Sequence, residues 1–145
     1  MEKARRSLYY VSLAVSALVG LWHFFVPRMF NWYDYLPMQY ENLIVGIDYV
    51  NYCFSALLLG SSLVLIILGK SALSLNYETI VFHTMLTLIW VFRACLSLFI
   101  EPFPMEPTPA AAIGQLILAV TMALMMVFVN ASLWVAFNRK KNLIN

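Results

Sequence analysis

Charge is scarce in this chain. Asp, Glu, Lys and Arg make up 11% of the 145 residues, against about 25% in soluble domains. The formal net charge is only +2, which gives a nucleic-acid partner no electrostatic basis. Cysteine is nearly absent: Cys53 and Cys95 both fall inside apolar segments and form neither a CxxC nor a zinc spacing, so they read as packing residues. No nucleophile–base arrangement, phosphate loop or dinucleotide fingerprint occurs, and the chain does not read as an enzyme on its own. Proline is missing from every apolar segment; Pro27, Pro37, Pro102, Pro104, Pro107 and Pro109 all lie near or in connections. Helix interiors are therefore expected to be uninterrupted.

What is present is hydrocarbon. Hydrophobic residues make up 63% of the chain and the mean hydropathy is +0.81. Four apolar segments stand out, Ser7–Val26, Leu43–Leu68, Tyr77–Ile100 and Ala110–Phe137. Each reaches the roughly 20 residues that span a bilayer as a helix, and each is too long for the ~10-residue strands of a barrel. The expected fold is all-α, a single integral membrane domain over residues 1–145 built as an antiparallel bundle of four transmembrane helices. The basic start followed by Leu8–Val19 resembles a signal peptide, but the apolar run continues to Val26 without an A-x-A site. A retained first helix is expected. Lys3, Arg5 and Arg6, Lys70, and Arg139, Lys140 and Lys141 flank one set of helix ends, which places both termini in the cytoplasm.

Phe30, Trp32, Tyr33, Tyr35 and Tyr40 enrich the first connection. They suit an aromatic belt at headgroup depth or a short cap folded over the outer mouth of the bundle. The third connection, Glu101–Pro109, reads as extended and polyproline-like.

Sorting side chains at about 100° per residue places polar groups on one stripe of each helix. The third helix aligns Thr79, His83, Trp90, Arg93, Ser97 and Glu101, with Ile80, Val81, Leu88, Val91 and Leu98 on the lipid side. The first aligns Tyr9, Ser12, Ser16 and His23. The second aligns Asp48, Asn51, Tyr52, Ser55 and Ser62, with Ala56 and Gly60 on a separate small-residue stripe. The fourth aligns Gln115, Ala119, Met122, Met126 and Asn130.

At about 1.5 Å rise per residue, His23 lies about 5 Å, Asp48 and Gln115 about 7 Å and Arg93 about 10 Å below the outer boundary. One layer in the outer third follows. Asp48 is the natural counter-ion for Arg93, with His23, Asn51, Gln115 and Trp90 completing the ligand-binding set. Glu41, Glu101 and Trp32 surround the mouth. The same pair also reads as a structural clamp fixing helix register. His83 sits about 15 Å deeper than Arg93. That separation disfavours a haem shared by His23 and His83, and His83 is expected to bond an inward Ser, Thr or Tyr such as Ser16 or Ser62. The cluster Met122, Met125 and Met126 suits gap filling better than copper. No metal site is expected.

The run Gly20-Leu-Trp-His23-Phe-Phe-Val-Pro27-Arg-Met-Phe30-Asn-Trp32 resembles the Gly-x-x-His-Phe-x-x-Pro-x-x-Phe pattern of small DoxX-like bacterial membrane proteins, and Trp90-Val-Phe-Arg93 resembles a Trp-x-x-Arg pattern of related families. The resemblance implies a multi-pass protein of the bacterial inner membrane and points at His23, Pro27, Trp32 and Arg93. It also brings quinone-linked sulfur oxidation, the association of DoxX itself, into view. Three functions are carried forward. The first is an outward-facing polar pocket for a small polar or anionic ligand or a partner subunit. The second is the membrane subunit of a quinone-linked oxidoreductase. The third is a structural accessory or assembly subunit, docking a partner helix or another copy through Ala56 and Gly60.

Overall fold

A computed structural model describes residues 2–35, 40–100 and 109–143. These residues are 93% helical with no strand. The order is α1 (Glu2–His23), α2 (Val26–Met29), α3 (Trp32–Tyr35), α4 (Glu41–Ile67), α5 (Gly69–Leu73), α6 (Tyr77–Cys95), a π-helical segment (Leu96–Ile100) and α7 (Pro109–Asn142). Three stretches, α4, α6 with its π segment, and α7, are long and apolar enough to cross a membrane. The remaining long helix, α1, has 22 residues and carries Glu2, Lys3, Arg5 and Arg6 at its start.

Local chemistry accounts for the boundaries. The first apolar run extends to Val26, but α1 ends at His23 and Pro27 sits in the first turn of α2, where its missing N–H removes no helical bond. Asn31 follows α2 with a φ of 50°, a conformation asparagine tolerates. Asn76 caps α6, its side chain accepting from the Thr79 N–H at 3.1 Å, which satisfies one of the orphan donors of the first turn.

α1 lies chiefly against α4 and α6 against α7, and α1–α7 contacts join the two pairs. The core gathers Tyr9, Leu13, Leu58, Leu65, Trp90 and Met126 from four helices. Polarity runs from inside to outside: Ser12, Ser16, Ser55, Ser62, His83 and Thr87 are buried, while Leu57, Leu88 and Phe99 are exposed. Ser16 is 0% exposed and Phe99 80%, the reverse of a water-soluble bundle. Ile80, expected on the lipid side, is buried in the core, in one cluster with Ala72 of the short α5. Gly20 is the close-approach residue, because a Cβ there would meet the Leu59 nitrogen at 2.6 Å. Ala56 is exposed and nothing lies within 4 Å of a Cβ built on Gly60, so that stripe takes no part in close packing within the bundle.

The α4–α6 turn, the first turns of α1 and the last turns of α7 meet at one end of the bundle. Gly69 lies tight beneath the Tyr10 ring, and Lys140 Nζ donates to the Ser74 carbonyl at 3.5 Å. His23, Asp48 and Arg93 occupy the other end.

Candidate functional site: an arginine cleft between three helices

The last turn of a helix leaves four carbonyls without intrahelical partners. In α1 one of these is the carbonyl of His23, and Asn51 of α4 donates its side-chain amide to it at 2.9 Å. The His23 ring packs edge-on against Phe54 and presents Nε2 to Arg93 of α6, 3.0 Å from Nη1. A guanidinium only donates hydrogen bonds. Nε2 is therefore the acceptor, the proton sits on Nδ1, and His23 is neutral. Beneath the guanidinium lies the Trp90 ring, 5.9 Å from Arg93 Cζ to the centroid, within cation–π range. Trp90 itself is fixed by donating Nε1–H to Ser16 Oγ at 3.0 Å, and Ser62 Oγ donates to the same oxygen at 2.8 Å.

The expected pairing of Arg93 with Asp48 does not form. Asp48 accepts instead from the Tyr33 hydroxyl at 2.7 Å, an interaction that ties α3 back onto α4. The contact pushes the Tyr33 phenol up to about 12, chiefly through the hydrogen bond to the carboxylate. Arg93 thus holds a neutral partner, and its positive charge is uncompensated among the described residues.

An open cleft of about 820 Å³ adjoins this cluster, within the range of small-molecule sites. His23, Asn51 and Arg93 supply its polar corner, Trp32 reaches it from α3, and Gly46, Val50, Phe54 and Leu96 form apolar walls. The first connection therefore contributes to the cleft through Trp32. The other expected site residues are dispersed. Gln115 lines a separate hollow of about 220 Å³ with Trp22 and Phe30. Trp90 is buried beneath Arg93, and Glu41 is exposed at the start of α4. Glu101 lies outside the described residues, as do residues 102–108.

The apolar walls escaped the sequence reading because residues such as Val50 pass for lipid-facing ones. The signal was a second stripe on α4, with Gly46, Val50 and Phe54 recurring every four residues beside Asn51. His83 belongs to a different network at the other end. Its Nδ1 lies 3.3 Å from Asn130 Oδ1 and 3.4 Å from Thr87 Oγ1, and its ring stacks on Tyr9 at 5.4 Å. Ser16 and Ser62, the partners expected for His83, bond each other and Trp90 instead. Among the described residues no three of His, Cys, Asp and Glu are grouped to hold a metal ion. No protein-family model matches the chain, and neither the curated proteins nor the solved structures yield a match.

Proposed function

We propose that this chain is a four-span membrane protein with both termini in the cytoplasm and a cleft at its outer end that binds a small anionic ligand at Arg93. One observation carries the reading: a permanent cation on a membrane-crossing helix whose hydrogen-bond partner is a neutral imidazole. A charge inside a span costs up to about 2.5–3.5 kcal/mol on insertion scales, the value at mid-span, and an incoming anion offsets the part that falls on Arg93. α1 is the fourth span in this reading, its Tyr9, Ser12 and Ser16 turned inward and its Val11, Leu18 and Leu21 outward. Placement in the bacterial inner membrane rests on the resemblance to DoxX-like proteins.

A second reading is favoured by the same bonds. Arg93, His23 and Asn51 join α6, α1 and α4, as a clamp would. Calorimetric titration of the purified protein with inorganic phosphate, alongside circular dichroism, separates the two. Arg93→Gln is expected to weaken phosphate binding by about 10–100-fold, the equivalent of one charged hydrogen bond at about 1.5–3 kcal/mol. The apolar pair Arg93→Met with His23→Leu is expected to keep its helix content and lose binding. Loss of folding in that pair, or equal binding by wild type and Arg93→Gln, removes the ligand-site reading.

A further inference from the structure

We propose that the anion is the headgroup of an amphiphile, its hydrocarbon chain lying in the α4 groove and reached sideways from the bilayer. This rests on Arg93 as the anion site and adds the chemistry of what is attached to the anion.

The cleft has one charged corner. Arg93, His23 and Asn51 meet there; Asn42 and the Trp32 indole are the other polar groups of the lining, and Gly46, Val50 and Leu96 belong to the apolar remainder. One Asn51 amide N–H bonds the His23 carbonyl and the His23 Nε2 lone pair faces Arg93, which leaves the second amide N–H and the Nδ1–H as donors for a headgroup. A compact anion would occupy that corner alone and leave the long apolar walls uncovered. An amphiphile meets both demands, since its head pairs with the guanidinium and its chain covers the walls.

The open side of the groove faces lipid. Leu43 and Val50 line it and are 54% and 71% exposed, and both lie on a helix apolar enough to span the membrane. The backbone after Arg93 adds an independent sign. The helix turns from α to π over Leu96–Ile100, and Leu96, the first π residue, forms part of the wall. Such departures from α geometry gather at functional sites.

Charge complementarity selects this occupant over a bare apolar helix, which would leave Arg93 unmatched. The same chemistry is offered by alkyl phosphates, including phosphatidic headgroups, and by fatty carboxylates.

Native mass spectrometry of the full chain, released from phosphatidylcholine nanodiscs, tests the proposal with four probes: dodecyl phosphate, dodecanoate, dodecanol and inorganic phosphate. Wild type is expected to retain one dodecyl phosphate or dodecanoate, and whichever is retained more strongly identifies the headgroup class. Dodecanol is expected to give no adduct. Arg93→Gln should lower the adduct at least about tenfold, the loss of one charged hydrogen bond.

Gly46→Phe supplies the discriminating variant. Nothing lies within 4 Å of a Cβ at Gly46, so the added side chain starts in open space beside the groove, and circular dichroism checks that the variant keeps its helix content. The substitution should lower the dodecyl phosphate adduct by about tenfold or more, a larger fractional loss than that of calorimetric phosphate binding; an equal loss of both would overturn the chain site. Inorganic phosphate bound as tightly as dodecyl phosphate would overturn the amphiphile and leave the anion site standing. Binding of neither anion would overturn both. A dodecanol adduct, or a dimer that Gly46→Phe disperses without any adduct, would overturn the proposal in favour of apolar recognition or a second copy.

Discussion

Tyr33 shows why one pairing was hidden from the sequence. Asp48 lies at nearly the depth of Arg93, and depth alone made it the counter-ion. Its actual partner comes from the first connection, where a phenol donates to the carboxylate at 2.7 Å. Helical periodicity says nothing about where a connection folds, so that contact had no signature. His23 and Arg93 were legible as members of one layer, but the bond between them required the end of α1 to fall at His23. The Tyr33 contact has a pH dependence of definite sign. A phenol raised from about 10 to about 12 by its partner contributes stability that is complete below pH about 10 and is lost as pH rises through about 12. The difference in phenolate absorbance between wild type and Tyr33→Phe is expected to titrate near pH 12, and to move towards 10 when Asp48→Asn is added to both. A difference trace already centred near 10 in the wild-type background would show that Asp48 does not hold the phenol.

At the scale of whole helices, composition did most of the work. Runs of roughly 20 apolar residues located α4, α6 and α7 to within a few positions. Two features lay beyond it. The π segment after Cys95 replaces the 100° step with wider bonding, so the face assigned to Ser97 no longer follows from counting. The tight approach within the bundle is at Gly20 of α1 against Leu59, while the α4 stripe at Ala56 and Gly60, suited to a partner helix, stays open. A glycine on a wheel gives no information about which neighbour it meets. The distinction is measurable. Gly20→Ala should cost about 1–3 kcal/mol by overpacking against backbone, read as earlier unfolding in a denaturant titration. Gly60→Ala, with open space around it, should be neutral or stabilise by up to about 1 kcal/mol through helix propensity. The opposite ranking would mean that α1 and α4 are not in this contact.

For the molecule as a whole, the gathering of basic residues at one end ties geometry to topology. Lys140 reaches Ser74, so the carboxy-terminal helix and the α4–α6 turn share a side, and Asp34 lies at the other end with Tyr33 and Asp48. Cysteines introduced singly at Asp34 and Lys140, with Cys53 and Cys95 replaced by alanine, are expected to react with an impermeant thiol reagent from opposite sides of sealed vesicles, Lys140 from the cytoplasmic side. Labelling of both from one side would remove the four-span arrangement and the outward aspect of the cleft.

The inward turn of the polar residues also bears on how the protein comes apart. Ser16, Ser62 and Trp90 face one another across three helices, while the outer surface is already hydrocarbon. In a bilayer, separating the helices moves their apolar faces into lipid, not into water. The large positive heat capacity of unfolding that bends the stability curve of a soluble domain comes from hydrating apolar surface. With that source removed, stability falls almost linearly with temperature and the fold has no cold limit of its own.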